Sequence, residues 1–235
     1  KNKYLIIKIT YPKRGMPTMA VNKSNFESIK TQLAENQVTL VAISKTKPVS
    51  SIQELYNLGQ RDFGENYVQE LVEKEALLPK DINWHFIGHL QTNKVKLIAP
   101  FVQLIHGVDS LKLLKEINKQ AEKNNRVIDC LLQVHIAQEE TKFGLNEEEL
   151  QSLVKEYATT EMKNVRVCGL MGMASFSTDI QKVRKEFEYL KKLFDSVPNF
   201  EILSMGMSSD YKTAIEEGST MVRIGSLLFG EREVK

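Results

Sequence analysis

From residue 24 onwards two kinds of segment alternate along the chain. Polar stretches carry apolar residues three or four positions apart, and between them lie short, almost wholly apolar runs. Ser24–Glu35 places Phe26, Ile29 and Leu33 at the spacing of one helix face. Val38–Ile43 is a β-rich run without polar alternation, as expected of a strand covered on both sides. Pro48 stops it, Ser50 or Ser51 is expected to cap a helix through Leu58, and Gly59 closes that helix.

The unit then recurs. Strands are expected at Arg61–Gly64, Trp84–Ile87, Val102–His106, Val127–His135, Val165–Leu170, Glu201–Ser204 and Met221–Ile224. Helices are expected at Tyr67–Leu77 and Gln91–Ile98, from Asp109 or Ser110 to Lys123, and from Asn146 to Tyr157. Asp179–Ser196, Asp210–Glu217 and a short closing segment complete the set. Eight strands, each followed by a helix, with one more helix in front, predict a (β/α)8 TIM barrel of the α/β class. A doubly wound open sheet is the alternative architecture. Residues 1–18 are basic, contain proline and lack periodicity, so they read as an extension outside the fold. Residues 19–235 read as a single barrel domain.

Composition narrows the function. The chain has 235 residues, 42% hydrophobic and 26% charged, near the average for a soluble globular protein. Lys and Arg number 32 and Asp and Glu 30, a net charge of +2 that argues against a dedicated nucleic-acid binder. It leaves room for a local basic pocket. Cys130 and Cys168 sit inside apolar segments and read as buried, reduced thiols of a cytosolic protein. No apolar run approaches the roughly 18 residues of a membrane span, and Tyr4–Ile7 is stopped by Lys8, too short for a secretory signal.

In a barrel the chemistry gathers where the strands end. Polar residues fall there at Ser44–Lys47, Glu65-Asn66, His85, His89, His106, Lys142, Ser204–Ser208 and Arg223–Ser226. Lys45 follows directly on the first strand. Burial at a barrel mouth disfavours an amine's charged form, and a neutral amine can form a Schiff base with an aldehyde; a solvated loop lysine fits the same position. Lys47 reads as a rim residue. The loops Ser204-Met205-Gly206-Met207-Ser208-Ser209-Asp210 and Arg223-Ile224-Gly225-Ser226 each join glycine to serine after the last two strands. There a barrel commonly cradles phosphate with amides, hydroxyls and helix N-termini, although ordinary turns and caps use the same residues. Arg223 lies within an apolar strand and needs a partner. It either reaches the mouth, where it could donate to a ring nitrogen, or pairs with a carboxylate such as Glu65. His85 and His89 lack a third ligand for a metal, and Met171, Met173, Met205 and Met207 read as barrel lining.

At these residues the sequence resembles a known family. Ala42-Ile43-Ser44-Lys45-Thr46-Lys47-Pro48, Phe63-Gly64-Glu65-Asn66-Tyr67, Trp84-His85-Phe86-Ile87-Gly88, Gly169-Leu170-Met171, Ser204-Met205-Gly206-Met207-Ser208 and Met221-Val222-Arg223-Ile224-Gly225 occur in its order. The family is that of the pyridoxal-phosphate homeostasis proteins, single-domain relatives of the alanine racemase N-terminal barrel. The resemblance implies that Lys45 carries pyridoxal 5′-phosphate (PLP) as an internal aldimine, that Arg223 faces the pyridine nitrogen, and that Ser208, Gly225 and Ser226 hold the phosphate. Asn66, His85, Ser204 and Met207 complete the expected cofactor-binding set, with no metal and no catalytic residue. It further implies a cytoplasmic protein, expected to be a monomer, that acts in vitamin B6 homeostasis and supplies PLP to PLP-requiring apoenzymes without robust catalysis of its own. The alternative is a PLP-dependent, racemase-like enzyme acting on amino acids. An arginine keeps its proton, so the ring nitrogen it faces stays unprotonated and the cofactor is a weak electron sink. The racemases also draw a tyrosine base from a second domain and a partner subunit, and the resemblance to the single-domain relatives leads to the expectation that this protein has no such domain.

Overall fold

The apolar runs pair side by side in chain order and close on themselves. A computed structural model describes residues 21–137 and 143–230; the expected extension over residues 1–18, and Lys142, lie outside them. The strands β1 (Thr39–Ile43), β2 (Asp62–Glu65), β3 (Asn83–Phe86), β4 (Leu104–Val108), β5 (Ile128–Val134), β6 (Val165–Gly172), β7 (Ile202–Met207) and β8 (Met221–Ile224) form a closed parallel barrel. The ring shuts where β1 lies beside β8, with Thr39 opposite Met221 and Val41 opposite Arg223. The open-sheet alternative is thereby set aside.

Helix α1 (Lys23–Glu35) precedes the barrel and buries Phe26, Ile29 and Leu33, the three positions its spacing marked. Around the ring follow α2 (Val49–Asn57), α3 (Val68–Leu77), α4 (Val95–Ile98), α5 (Leu111–Lys123), α6 (Glu147–Thr159), α7 (Ile180–Asp195), α8 (Tyr211–Glu216) and α9 (Ser226–Phe229). Ser110 rather than Asp109 caps α5, accepting from the Leu113 amide. Asn146 and Glu149 form a reciprocal capping box on α6. Neither Ser50 nor Ser51 caps α2, because Pro48 takes the cap position (φ −69°, ψ 154°) and places both serines in the first turn. Strands β6 and β7 outrun their expected ends at Leu170 and Ser204, since their last residues, Gly172 and Met207, still pair with neighbours.

Side chains alternate between two layers. Phe63, Trp84, Phe86 and Phe187 pack in the outer layer with the helices, while Val41, Ile43, Leu104, Leu131, Cys168, Met171 and Met221 fill the lumen. Both cysteines are buried free thiols, and burial pushes the Cys168 thiol up to about 12. No helix among the described residues is long and apolar enough to cross a membrane.

Candidate functional site

The mouth of the barrel, at the strand C-termini, opens into a cavity of about 800 Å³, within the usual range for a small-molecule site. Lys45, Asn66, Met207, Ser208, Arg223, Gly225 and Ser226 all line it. His85 and Ser204 do not: both are buried below its floor, His85 in β3 and Ser204 in β7. The lining also includes Gln133, His89 and Phe143. The His89 ring stacks on Phe143 with centroids 4.8 Å apart, so His85 and His89 do not converge on one point.

Lys45 rides on a turn gripped from behind. The Ser44 carbonyl accepts from the Lys47 amide at 3.0 Å and from Lys74 Nζ at 2.7 Å. The Ser44 hydroxyl donates to Glu65 Oε1 at 2.5 Å, and the Thr46 amide donates to Glu70 Oε1 at 2.6 Å, holding Thr46 at φ +64°. Lys74 binds both carboxylates at 2.7 Å. This cluster was missed in the sequence reading, yet it left a signal: Lys74 of α3 lies three residues after Leu71 on the buried face of the helix. Glu65 is fully buried, and its Oε2 is without a hydrogen-bond partner among the described residues. Burial raises the Glu65 pKa against the opposing pull of Lys74.

One expectation is corrected here, and one alternative is decided. Lys47 is not a rim residue: it is buried, and its ammonium donates to the carbonyls of Phe229 and Gly230 at 3.0 and 3.1 Å, tying the Lys45 turn to the end of α9. Nor does Arg223 pair with Glu65, which Lys74 occupies. Arg223 instead donates through Nη1 to the Ser204 carbonyl at 2.9 Å and hydroxyl at 2.6 Å, and through Nη2 to the Gly172 carbonyl at 3.0 Å. Burial pulls the guanidinium down to about 10, against the opposing field of Asp210, so it remains charged at neutral pH.

The two Gly-Ser loops meet. The Gly225 amide donates to the Ser208 hydroxyl at 3.2 Å, and the Met207 amide to Asp210 Oδ1 at 2.6 Å. Gly206 makes the turn with φ +94°, and a Cβ there would come 2.6 Å from that of Ala214. On the opposite wall, a Cβ on Gly88 would lie 2.2 Å from the Asn66 carbonyl, so glycine alone lets the two loops touch. The adjoining helices α8 and α9 are six and four residues long. Any anion held here would therefore rely on hydroxyls and amides rather than on a long aligned dipole. Lysine amines, one fixed guanidinium and serine hydroxyls thus line one cavity. Such a donor set suits a ligand with a carbonyl carbon, a ring acceptor and a phosphate.

The alanine racemase N-terminal domain family matches residues 20–233. A pyridoxal phosphate homeostasis protein of Aquifex aeolicus is 48% identical over 205 residues, covering 85% of this chain and 89% of that one. PipY of Synechococcus elongatus, solved with PLP bound, superimposes with a TM-score of 0.80 at 33% identity, covering 88% of this chain and 99% of its own. An alanine racemase of Clostridium difficile shares the fold alone, at TM-score 0.72 and 13% identity over 92% of this chain and 59% of that one.

Proposed function

The chain belongs to the alanine racemase N-terminal domain family and, within it, to the pyridoxal phosphate homeostasis proteins, and from that premise we propose that it holds PLP at the barrel mouth and supplies it to PLP-requiring apoenzymes in the cytoplasm, without robust catalysis of its own. The observation that carries this reading is the convergence of Lys45, Arg223, Ser208 and Ser226 on one cavity. PLP, when bound, supplies an aldehyde that condenses with a primary amine, releasing water, and a pyridine ring that can draw electrons from an attached group. Lys45 provides the amine, from a turn that Lys74, Glu65 and Glu70 hold still. Ser208, Gly225 and Ser226 cradle the phosphate, with Met207 and Asn66 on the surrounding wall.

Ser208→Ala and Ser226→Ala are each expected to weaken PLP binding by about 1–3 kcal/mol through a lost charge-assisted hydrogen bond. Binding of pyridoxal, which lacks the phosphate, should change much less. Titration of each variant with both compounds checks this, and equal losses for both would place the phosphate elsewhere.

Arg223 restrains chemistry as well as holding the ring. A guanidinium that is charged at neutral pH donates to a ring nitrogen and leaves it unprotonated. Arg223→Glu offers a carboxylate able to keep a proton there, so the PLP-loaded variant is expected to exchange the α-proton of a bound amino acid with heavy water faster than wild type. NMR of α-deuterium uptake on both loaded proteins measures it; exchange no faster than wild type would sink the idea. Turnover assays over a panel of L-amino acids test the homeostasis reading itself, and steady racemisation would replace it with the enzyme reading.

A further inference from the structure

Below the cavity floor a row of polar side chains crosses the otherwise apolar lumen. Arg223 Nη1 donates to Ser204 Oγ at 2.6 Å, and Ser204 Oγ lies 3.2 Å from His106 Nδ1. His106 Nε2 lies 3.0 Å from His85 Nδ1, and His85 Nε2 lies 3.1 Å from Asp62 Oδ1. His85, His106, Ser204 and Arg223 are all buried. Asp62 begins β2 at the opposite end of the barrel, 28% exposed, with its Oδ1 also accepting from Asn83 Nδ2 at 3.2 Å.

The ends of this row dictate its direction. A guanidinium only donates and a carboxylate only accepts. Between them stand a hydroxyl and two imidazoles, each of which, when neutral, donates once and accepts once. One arrangement satisfies every contact. Ser204 accepts from Arg223 and donates to His106 Nδ1, His106 donates from Nε2 to His85 Nδ1, and His85 donates from Nε2 to Asp62. Reversing the row would require an extra proton in the buried lumen beside Arg223. Burial, with His85 and Arg223 nearby, holds the His106 pKa well below its ordinary value.

We propose that Ser204, His106, His85 and Asp62 form a one-directional hydrogen-bond relay that positions Arg223 and polarises it towards the ligand ring at the mouth. They are positioning residues, acting on the site through Arg223. This gives His85 and Ser204, two sequence-named residues absent from the cavity wall, a role beneath it. Hydrogen bonds in a low-dielectric file strengthen one another, so a break at a distant link weakens the near ones.

The inference rests on the PLP reading only in its second test. The first uses the unliganded full chain labelled with 15N in its four histidines. His85 and His106 are each expected to carry a ring proton on Nε2 and none on Nδ1; a proton on Nδ1 of either overturns the relay, whether or not the chain binds PLP. The second test reads absorbance and affinity with PLP as the probe. Ser204→Ala and His85→Gln are each expected to shift the absorbance of the bound PLP in the same sense and to weaken binding roughly threefold to tenfold. Ser204→Thr, which keeps the hydroxyl, should behave as wild type. The double variant should match Ser204→Ala alone, because the file is already cut. An unshifted His85→Gln spectrum, or effects that add in the double variant, would reduce these residues to packing and overturn the proposal.

Discussion

Replacing Lys45 by alanine is expected to abolish covalent attachment of PLP. In the wild-type protein, borohydride reduction followed by peptide mapping should place the pyridoxyl group on Lys45, and in the variant no stable label should form. The geometry distinguishes this lysine from its neighbour two positions on. Both lysines line the cavity, but Lys47 spends its ammonium on two backbone carbonyls at the end of α9. Reversible binding should persist in Lys45→Ala, because Ser208, Ser226 and Arg223 still face the ligand. Label found on Lys47 in the wild-type protein would refute the assignment.

Lys74→Met should produce the largest loss of stability. The substitution keeps the apolar stem and removes the charge that faces Glu65, a carboxylate with no exposure to water. Breaking a buried pair at one partner costs about 3–5 kcal/mol, a fall in Tm on the order of 10 °C for a chain of this size. The pH dependence has a definite sign. The folded protein already holds the Glu65 proton more tightly than an unfolded chain does. Stability from this group is therefore full below the ordinary carboxylate pKa and lost as pH rises through the raised folded value. Removing Lys74 lifts that folded value further, so the deficit against wild type should be small in acid and grow towards neutrality. Denaturant melts of both proteins across that range provide the test. A deficit independent of pH, or below about 1 kcal/mol, would mean that Lys74 is not what supports Glu65. Glu65→Leu combined with Lys74→Met should recover much of the loss, since no uncompensated charge is then buried.

The fold was legible because the local periods are clean. The apolar spacing of α1 marked its three buried residues, and the unbroken apolar strands required helices over one face and a packed lumen over the other. The cavity wall was legible too, as strand ends in a barrel converge: Lys45, Ser208, Arg223 and Ser226 stand together as their positions implied. The partners were not. His106 belongs to β4 and Ser204 to β7, so they meet across the lumen, a relation no sequence period encodes. Lys74 shares a helix with exposed charges and reads as one of them, although it lies on the buried face of α3 with Leu71 and pairs with Glu65. Lys47 looked like a rim residue because its acceptors lie at the far end of the chain. Pro48 displaced the expected serine cap because its fixed φ suits the residue that leads into a helix, a backbone effect that outranks side-chain preference.

The join between β1 and β8 has a kinetic meaning. Lys45 leaves the first strand and Arg223 lies in the last, so the two are brought together by the β1–β8 pairing that closes the ring. Contacts of such long sequence separation form late, because the loop they close is the whole domain. No partly assembled chain therefore owns the ligand site. A molecule bound across this seam acts as a clasp: it adds its binding energy to the completed ring and to no state short of it. Opening the barrel at the seam would, for this topology, also release the ligand.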